Sequence, residues 1–314
     1  MGSDPGLMIF SGNSNPELAR SMAHYLQVPL GAVEITRFSE GETFVQIKDN
    51  IRGRDVYIVQ SICSPPNENL MELLIMIDAA RRASAARITA VIPFYGYARQ
   101  DRKDRPRVPI TAKLVANLLV ASGVSRVLSM DLHAQQIQGF FDIPMDHLYA
   151  APIIVKYLRD KNLKDPVVVS PDPGSLKMAL SYAEMLGGGV ALVAKQRRGP
   201  TEVEALHLVG DVKGRPAIMV DDLSTTAGTL CEAASILDRH GASEIYAAVS
   251  HACIVPMGIE RLKKSKIREL VVTDSIPLRN VEGFPVTVLT VAGLLGEAVM
   301  RIHGNQSVTS LFRW

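Results

Sequence analysis

The sequence predicts an α/β protein of two domains, each a mostly parallel sheet flanked by helices, and three observations carry that prediction. Short β-branched runs alternate with amphipathic stretches, the runs are almost continuously apolar, and 314 residues suffice for two cores of ordinary size. A strand apolar on both sides must be covered on both faces, and a parallel neighbour needs a crossover helix. Continuity and alternation therefore point to one architecture.

Taken in order, Val56-Tyr57-Ile58-Val59 reads as a strand and Leu70 to Ala86 as a helix. Ile88 to Ile92 is the next strand; a polar loop follows, then a helix from Ala112 to Ala121 and the apolar run Arg126 to Met130. A boundary is expected near Ala150 to Pro152, giving domains 6–150 and 151–314, with Met1 to Pro5 set aside as a cloning remnant. The second half repeats the rhythm with strands at Val167 to Val169, Val190 to Val193, Ala217 to Val220, Ile245 to Val249 and Leu270 to Val272, and a helix from Gly228 to His240. The tail holds an amphipathic helix from Val291 to Ile302. Periodicity leaves its packing open, and the segment 292–314 is a candidate to lie on the N-terminal domain.

Hydrophobic residues make up 47% and charged residues 21%, and no apolar run nears the roughly 20 residues of a membrane-spanning helix. A soluble protein without a membrane partner is expected. The formal net charge of +2 gives no support to a nucleic-acid partner, so any phosphate must be bound locally. Cys63, Cys231 and Cys253 lie far apart, which argues against a disulfide framework and a zinc site and, with no signal-peptide pattern, for a cytoplasmic protein.

The candidate chemistry gathers at strand ends. Ala217 to Val220 should deliver Asp221 and Asp222 to its carboxyl end, the usual place for ligands in an open α/β sheet. Ser224, Thr225, Thr226, Ala227, Gly228 and Thr229 follow and lead into a helix, so backbone N–H groups and hydroxyls can cradle a phosphate while the acids bind sugar hydroxyls or metal-bound water. The competing reading makes Asp222 or Thr226 a helix cap. Asp131 and His133 follow the run ending at Met130, where a carboxylate and an imidazole can reach a divalent cation or its water shell, although a single histidine is more often structural. Asp172, after Val168-Val169-Ser170-Pro171, is a third strand-end acid and equally a turn residue.

Two cationic loops complete the set: Tyr97 to Arg105, with Arg99 and Gln100 beside aromatics, and Lys195-Gln196-Arg197-Arg198. Guanidinium forks grip phosphate oxygens in pairs and aromatic faces stack on bases, whereas the bland reading is a solvated charge run. Gly-x-x-x-x-Gly-Lys-Ser/Thr, Gly-x-Ser-x-Gly and His-Glu-x-x-His are all absent. Any ATP is held in some other way.

Together these segments resemble the ribose-phosphate pyrophosphokinase family, in order from about Met8 to Phe312. Asp131 to Pro144 is similar to the family signature almost letter for letter, and Tyr97 to Lys103 is nearly as specific. The resemblance implies two tandem phosphoribosyltransferase-like domains. It also implies transfer of pyrophosphate from ATP to ribose 5-phosphate, with Mg²⁺ as cofactor. Residue by residue, it implies that Phe38, Glu40, Gly41 and Glu42 serve the adenine site of a neighbouring subunit and that Arg99 and Gln100 bind ATP. His133 and Asp172 fall on Mg²⁺-site positions with Asp131 nearby, Lys195 and Arg197 on the catalytic Lys-x-Arg, and Asp221, Asp222 and Thr225 to Thr229 on the ribose 5-phosphate loop, which Arg197 also serves. A homohexamer, ADP inhibition and phosphate activation are implied too, with Arg52, Ser307 and Thr309 at allosteric phosphate positions.

Departures from the family pattern are Thr225 in place of a common aspartate, Glu40 in place of aspartate, and Pro173 to Lys177 in place of a Gly-Gly-containing run. Two other readings compete. A phosphoribosyltransferase would share the 221–229 loop but has no need of the 38–42 and 99–100 segments. A non-catalytic associated subunit should have lost His133, Asp172, Lys195 and Arg197, which are present.

Overall fold

The computed structural model describes residues 6–196, 205–278 and 281–311. The chain divides into two compact units with a break between Tyr149 and Ala150. The first unit opens with β1 (Leu7–Ser11), α1 (Pro16–Leu26) and an antiparallel hairpin of β2 (Val33–Arg37) and β3 (Thr43–Ile47). β4 (Asp55–Val59), α2 (Pro66–Arg82), β5 (Arg87–Ile92), α3 (Thr111–Ser122), β6 (Arg126–Met130) and β7 (Met145–Leu148) follow. Its main sheet runs β1-β4-β5-β6-β7, parallel throughout. Every residue of β4 is buried, as a strand covered on both faces requires.

Helix α2 lays Leu73, Met76, Ile77 and Ala80 into this core at helical spacing, and α3 adds Ala112, Val115, Ala116 and Leu119. α2 begins and ends four residues earlier than the apolar pattern suggests. Pro66 at its first turn supplies a φ already fit for a helix, and Ser84 at φ 63° breaks the spiral before Ala86, whose N–H donates to Arg54 O at 2.8 Å.

The second unit contains α4 (Ala151–Asp160), β8 (Val167–Ser170), α5 (Leu176–Leu186), β9 (Gly189–Gln196), β10 (Ala205–Val209), β11 (Pro216–Ser224) and α6 (Gly228–Arg239). It continues through β12 (Glu244–Ala252), α7 (Pro256–Lys263), β13 (Glu269–Thr273) and β14 (Val286–Leu289). The sheet order is β10-β9-β8-β11-β12-β13-β14, parallel except at the β9–β10 edge. The last helix, α8 (Ala292–His303), belongs to the first unit. There Tyr25 lies so close to Gly296 that an added Cβ would sit 2.5 Å from its ring. Asp55, which is buried, accepts from Arg87 and Tyr57 and lies 2.7 Å from His303 Nδ1, fastening the end of α8 to the start of β4. No helix among the described residues is long and apolar enough to cross a membrane.

Candidate functional site

In the second unit β8 and β11 lie side by side and parallel, and their pairing ends at Met219 opposite Val169. Beyond that point β11 keeps β12 as its partner, with Leu223 opposite His251 and Ser224 opposite Ala252. The strand expected to stop at Val220 therefore runs on to Ser224, because β12 is long enough to pair with it on one side. Asp221 and Asp222 sit where the other side of the strand has opened.

Residues 225–227 alone make the turn into α6. Ala227 is buried and takes φ 53°, ψ 13°, a left-handed conformation that costs a side-chain-bearing residue about 1 kcal/mol. It occupies the cap position, and no side chain caps α6. Neither Asp222 nor Thr226 plays the capping part that the sequence left open. The first N–H groups of an α-helix lack intrahelical acceptors, so the turn offers the Gly228 and Thr229 end of α6 to an anion, with the Thr225, Thr226 and Thr229 hydroxyls close along the chain.

The turn is braced from behind. Val255 N–H donates to Thr225 O at 3.0 Å, and Arg261 Nη1 donates to Thr226 O at 3.2 Å. Gly258, in the first turn of α7, is so close that an added Cβ would lie 3.0 Å from Thr225 O and 3.2 Å from Thr226 C.

The acids form one charged group. Asp221 Oδ1 accepts the Asp222 N–H at 2.9 Å and the Ser175 hydroxyl at 2.7 Å. Burial, then the neighbouring charge of Asp222 and more weakly that of Asp172, push the Asp221 carboxyl up to about 8, while the Ser175 hydroxyl pulls the other way. Asp172 caps the short 3-10 turn Pro173–Ser175, its Oδ1 accepting from Gly174 N at 2.7 Å and Ser175 N at 3.3 Å. Both bonds use Oδ1, so the turn role and a ligand role at Oδ2 are compatible.

Burial and the crowding of three carboxyl groups raise one pKa here, and a hard cation would favour the ionised form of that group. The donors here are all oxygen, which fits Mg²⁺. Among the described residues no three His, Cys, Asp or Glu side chains form a cage for a metal by themselves. Lys195 lies near the end of β9, opposite Leu206 of β10. Arg197 falls outside the described residues.

In the first unit Phe38, Glu40, Gly41 and Glu42 form the tip joining β2 to β3, closed by Phe38 N–H to Glu42 O and Gly41 N–H to Phe38 O, both 2.9 Å. Gly41 has φ 97°, which a glycine takes without strain. Phe38 is 53% exposed and meets Phe44 edge to face at 5.8 Å.

Arg99 and Gln100 are exposed in the loop after β5. Its entry is fixed by Tyr97 at φ 64° and by Gly96, where an added Cβ would meet Ile62 O at 2.4 Å. Gln100 is anchored by its backbone and by a Thr111 hydroxyl bond of 2.5 Å, and Gln136 reaches across to Asp101 at 2.5 Å. That last bond joins the 99–105 loop to the segment following β6.

Asp131 is buried at φ 40°, and His133 two residues on is exposed. Behind them the Leu132 N–H donates to the buried His147 Nε2 at 2.9 Å, and His147 packs on Tyr149, whose hydroxyl is raised by burial and by the Asp131 charge. Arg52 is exposed in the turn before β4; Ser307 and Thr309 are exposed after α8, where the Ser307 hydroxyl donates to Thr309 Oγ1 at 2.9 Å and accepts the Thr309 N–H at 3.2 Å.

Sequence reasoning did not single out Ser175, Gly258, Arg261 or His147. Gly258 had a readable signal, a glycine inside a helix pattern, which marks close backbone approach. The others act through contacts 15 to 46 residues away in the chain, which only the fold reveals.

The comparisons with known proteins agree along the whole chain. Residues 7–123 match the N-terminal domain of ribose phosphate pyrophosphokinase, and residues 196–313 match a phosphoribosyl synthetase-associated domain. The chain is 52% identical to the ribose-phosphate pyrophosphokinase of Gloeobacter violaceus, over 99% of its own length and 94% of the relative's. It is 54% identical to that of Caldanaerobacter subterraneus subsp. tengcongensis over 98% of both. The crystal structure of phosphoribosylpyrophosphate synthetase from Mycobacterium smegmatis superposes with a TM-score of 0.90 at 41% identity, covering 96% of this chain and 99% of that one. Similarity of this depth over nearly the full length places the chain in the ribose-phosphate pyrophosphokinase family.

Proposed function

We propose that the chain transfers the terminal pyrophosphate of ATP to the anomeric hydroxyl of D-ribose 5-phosphate, giving 5-phosphoribosyl 1-pyrophosphate and AMP. The observation that carries this reading, in a chain of this family, is the turn 225–227, which ends on the left-handed Ala227 with no side-chain cap and follows Asp221 and Asp222 after two residues. It supplies a phosphate cradle and hydroxyl-binding acids three residues apart, which is the polarity of a sugar phosphate.

In the proposed reaction the anomeric oxygen attacks the β-phosphorus in line. The new O–P bond forms as the bond to the oxygen bridging the α-phosphorus breaks, AMP keeps that oxygen, and the hydroxyl proton is released. Little covalent chemistry falls to the protein, so positioning and charge neutralisation dominate. Asp221 and Asp222 orient the ribose hydroxyls, Thr225 to Thr229 hold the 5-phosphate, and Lys195 and Arg197 stabilise charge on the transferring phosphoryl group. Arg99 and Gln100 bind ATP, and the exposed Phe38 with Glu40, Gly41 and Glu42 offers an aromatic platform to the adenine bound by another subunit of a homohexamer. His133, with Asp131 close by, and Asp172 are the Mg²⁺ positions on their respective units. Bound Mg²⁺ would offset phosphate charge. ADP and phosphate are the effectors proposed for Arg52, Ser307 and Thr309, where exposed hydroxyls and a guanidinium suit phosphate oxygens. The cytoplasm is the proposed location.

The test is AMP release from ATP and Mg²⁺ with and without ribose 5-phosphate, coupled to a phosphoribosyltransferase that consumes the product. AMP and coupled product should form one for one and only when the sugar is present. ATP turnover independent of the sugar would overturn the proposal.

A further inference from the structure

Ser175 stands outside every role assigned above, yet it joins the two acid-bearing segments of the second unit. It is buried, 8% exposed, at the end of the 3-10 turn that leads into α5. Its backbone N–H donates to Asp172 Oδ1 at 3.3 Å, and its hydroxyl donates to Asp221 Oδ1 at 2.7 Å. The same oxygen accepts the Asp222 N–H at 2.9 Å. Two donors on one carboxylate oxygen define the plane of the group. Without the side-chain donor that plane is loosely held, since the terminal torsion of aspartate is broad and roughly two-fold.

The strands make this bridge possible. β8 and β11 stop pairing at Val169 and Met219, so the turn after β8 and the open edge of β11 leave the sheet at the same level. A hydroxyl is a short group with a donor that can span the remaining gap, and the partial burial of the bond limits competition by water.

We propose that Ser175 is a positioning residue of the sugar-phosphate site. Its hydroxyl locks the Asp221 carboxylate and ties the turn carrying Asp172 to the strand carrying Asp221, leaving Asp221 Oδ2 for a ribose hydroxyl. This rests on the ribose 5-phosphate reading given above. Ser175 touches no reacting atom in this role, so its loss acts on sugar binding and leaves nucleotide binding alone.

The experiment is calorimetric titration of the full-length protein with ribose 5-phosphate and, separately, with ATP, for wild type, Ser175→Ala and Ser175→Thr, with a thermal melt of each. Direct binding is read independently of turnover, so wild-type protein that binds the sugar but releases no AMP would refute the proposed reaction and still decide the role of Ser175. The alanine variant should bind ribose 5-phosphate roughly tenfold more weakly, the scale of one hydrogen bond, with the Kd for ATP unchanged. The threonine variant, which keeps the hydroxyl, should recover most of that loss. Equal sugar affinity in the alanine variant overturns the proposal. So does parallel loss of sugar and ATP binding with a lowered Tm, which would mark Ser175 as a fold residue, or a folded threonine variant that recovers nothing. Should the extra methyl of threonine disrupt the turn, the alanine variant with its ATP control decides alone. Wild-type protein that binds no ribose 5-phosphate defeats both readings together.

Discussion

Replacing Gly258 with alanine tests whether the turn 225–227 holds the sugar phosphate, because it presses on the backbone of that turn without removing any side chain or N–H group assigned to a ligand. The added Cβ would lie 2.8 Å from Ile254 Cγ2, 3.0 Å from Thr225 O and 3.2 Å from Thr226 C. The isoleucine methyl can swing aside. The two turn atoms are backbone, and the turn is fixed to the same helix start by the Val255 N–H to Thr225 O bond of 3.0 Å. Either α7 or the turn must give by a few tenths of an ångström.

Alanine gains about 1 kcal/mol over glycine inside a helix, and overpacking costs about 1–3 kcal/mol, so the net loss of stability is about 0–2 kcal/mol. At about 2–4 °C per kcal/mol, Tm falls by no more than about 8 °C and the protein stays folded at assay temperature. The movement falls on the Thr225 and Thr226 backbone, so the KM for ribose 5-phosphate should rise about tenfold, a cost of about 1.4 kcal/mol, while the KM for ATP stays within about twofold. AMP release with each substrate varied at saturating levels of the other measures the split. An unchanged sugar KM in protein whose Tm has dropped would refute the reasoning, since the strain would then have been absorbed without the turn mattering to the sugar.

Two further outcomes are expected. The Asp221 carboxyl, at about 8 in the folded chain against 3.8 for the ordinary side chain, keeps a proton that the unfolded chain has already released between those values. Stability of the metal-free protein should therefore fall as pH rises through that window, and Asp221→Asn should flatten the fall and be the more stable form near pH 8. Melting curves in chelator from pH 5 to 8 check this, and parallel curves for the two proteins would contradict it. Asp55→Ala removes the acceptor shared by Arg87, Tyr57 and His303 and should cost about 2–3 kcal/mol in urea unfolding, below the roughly 3–5 kcal/mol of breaking a fully buried pair because the Arg87 side chain is 41% exposed. A change below about 0.5 kcal/mol, the range of an ordinary surface substitution, would mean that this cluster does not fasten α8.

The parallel strands were legible because burial on both faces demands uninterrupted apolar residues: all five residues of β4 and the first four of β13 past Glu269 are buried, and both were read from their apolar letters. The hairpin strands β2 and β3 were not, since half of each faces solvent and residues such as Glu34, Thr36 and Gln46 dilute the pattern. Ends were shifted where a neighbour decided them, as β12 does for the last four residues of β11. At the candidate site the acids were visible as polar residues after apolar runs. The Ser175 bond to Asp221 was not, because it depends on the register of β8 against β11 and spans 46 residues.

A sugar phosphate carries its charge at one end and neutral hydroxyls at the other, and the second unit divides its groups in the same sense. Asp172, Asp221 and Asp222 gather where β8 and β11 part; the stretch from Leu223 to Thr229 has no carboxylate and ends at a helix N-terminus. Thr225 stands at the border between the two. A fourth carboxylate there would add to the repulsion that, after burial, helps to push Asp221 up to about 8, and it would sit in the turn proposed to hold the phosphate. A threonine keeps one donor and the acceptor capacity of an oxygen without the charge. On the proposed reading, the threonine lowers the electrostatic cost of placing phosphate beside three acids within the protein itself, and less of that cost would be left for a bound cation to offset.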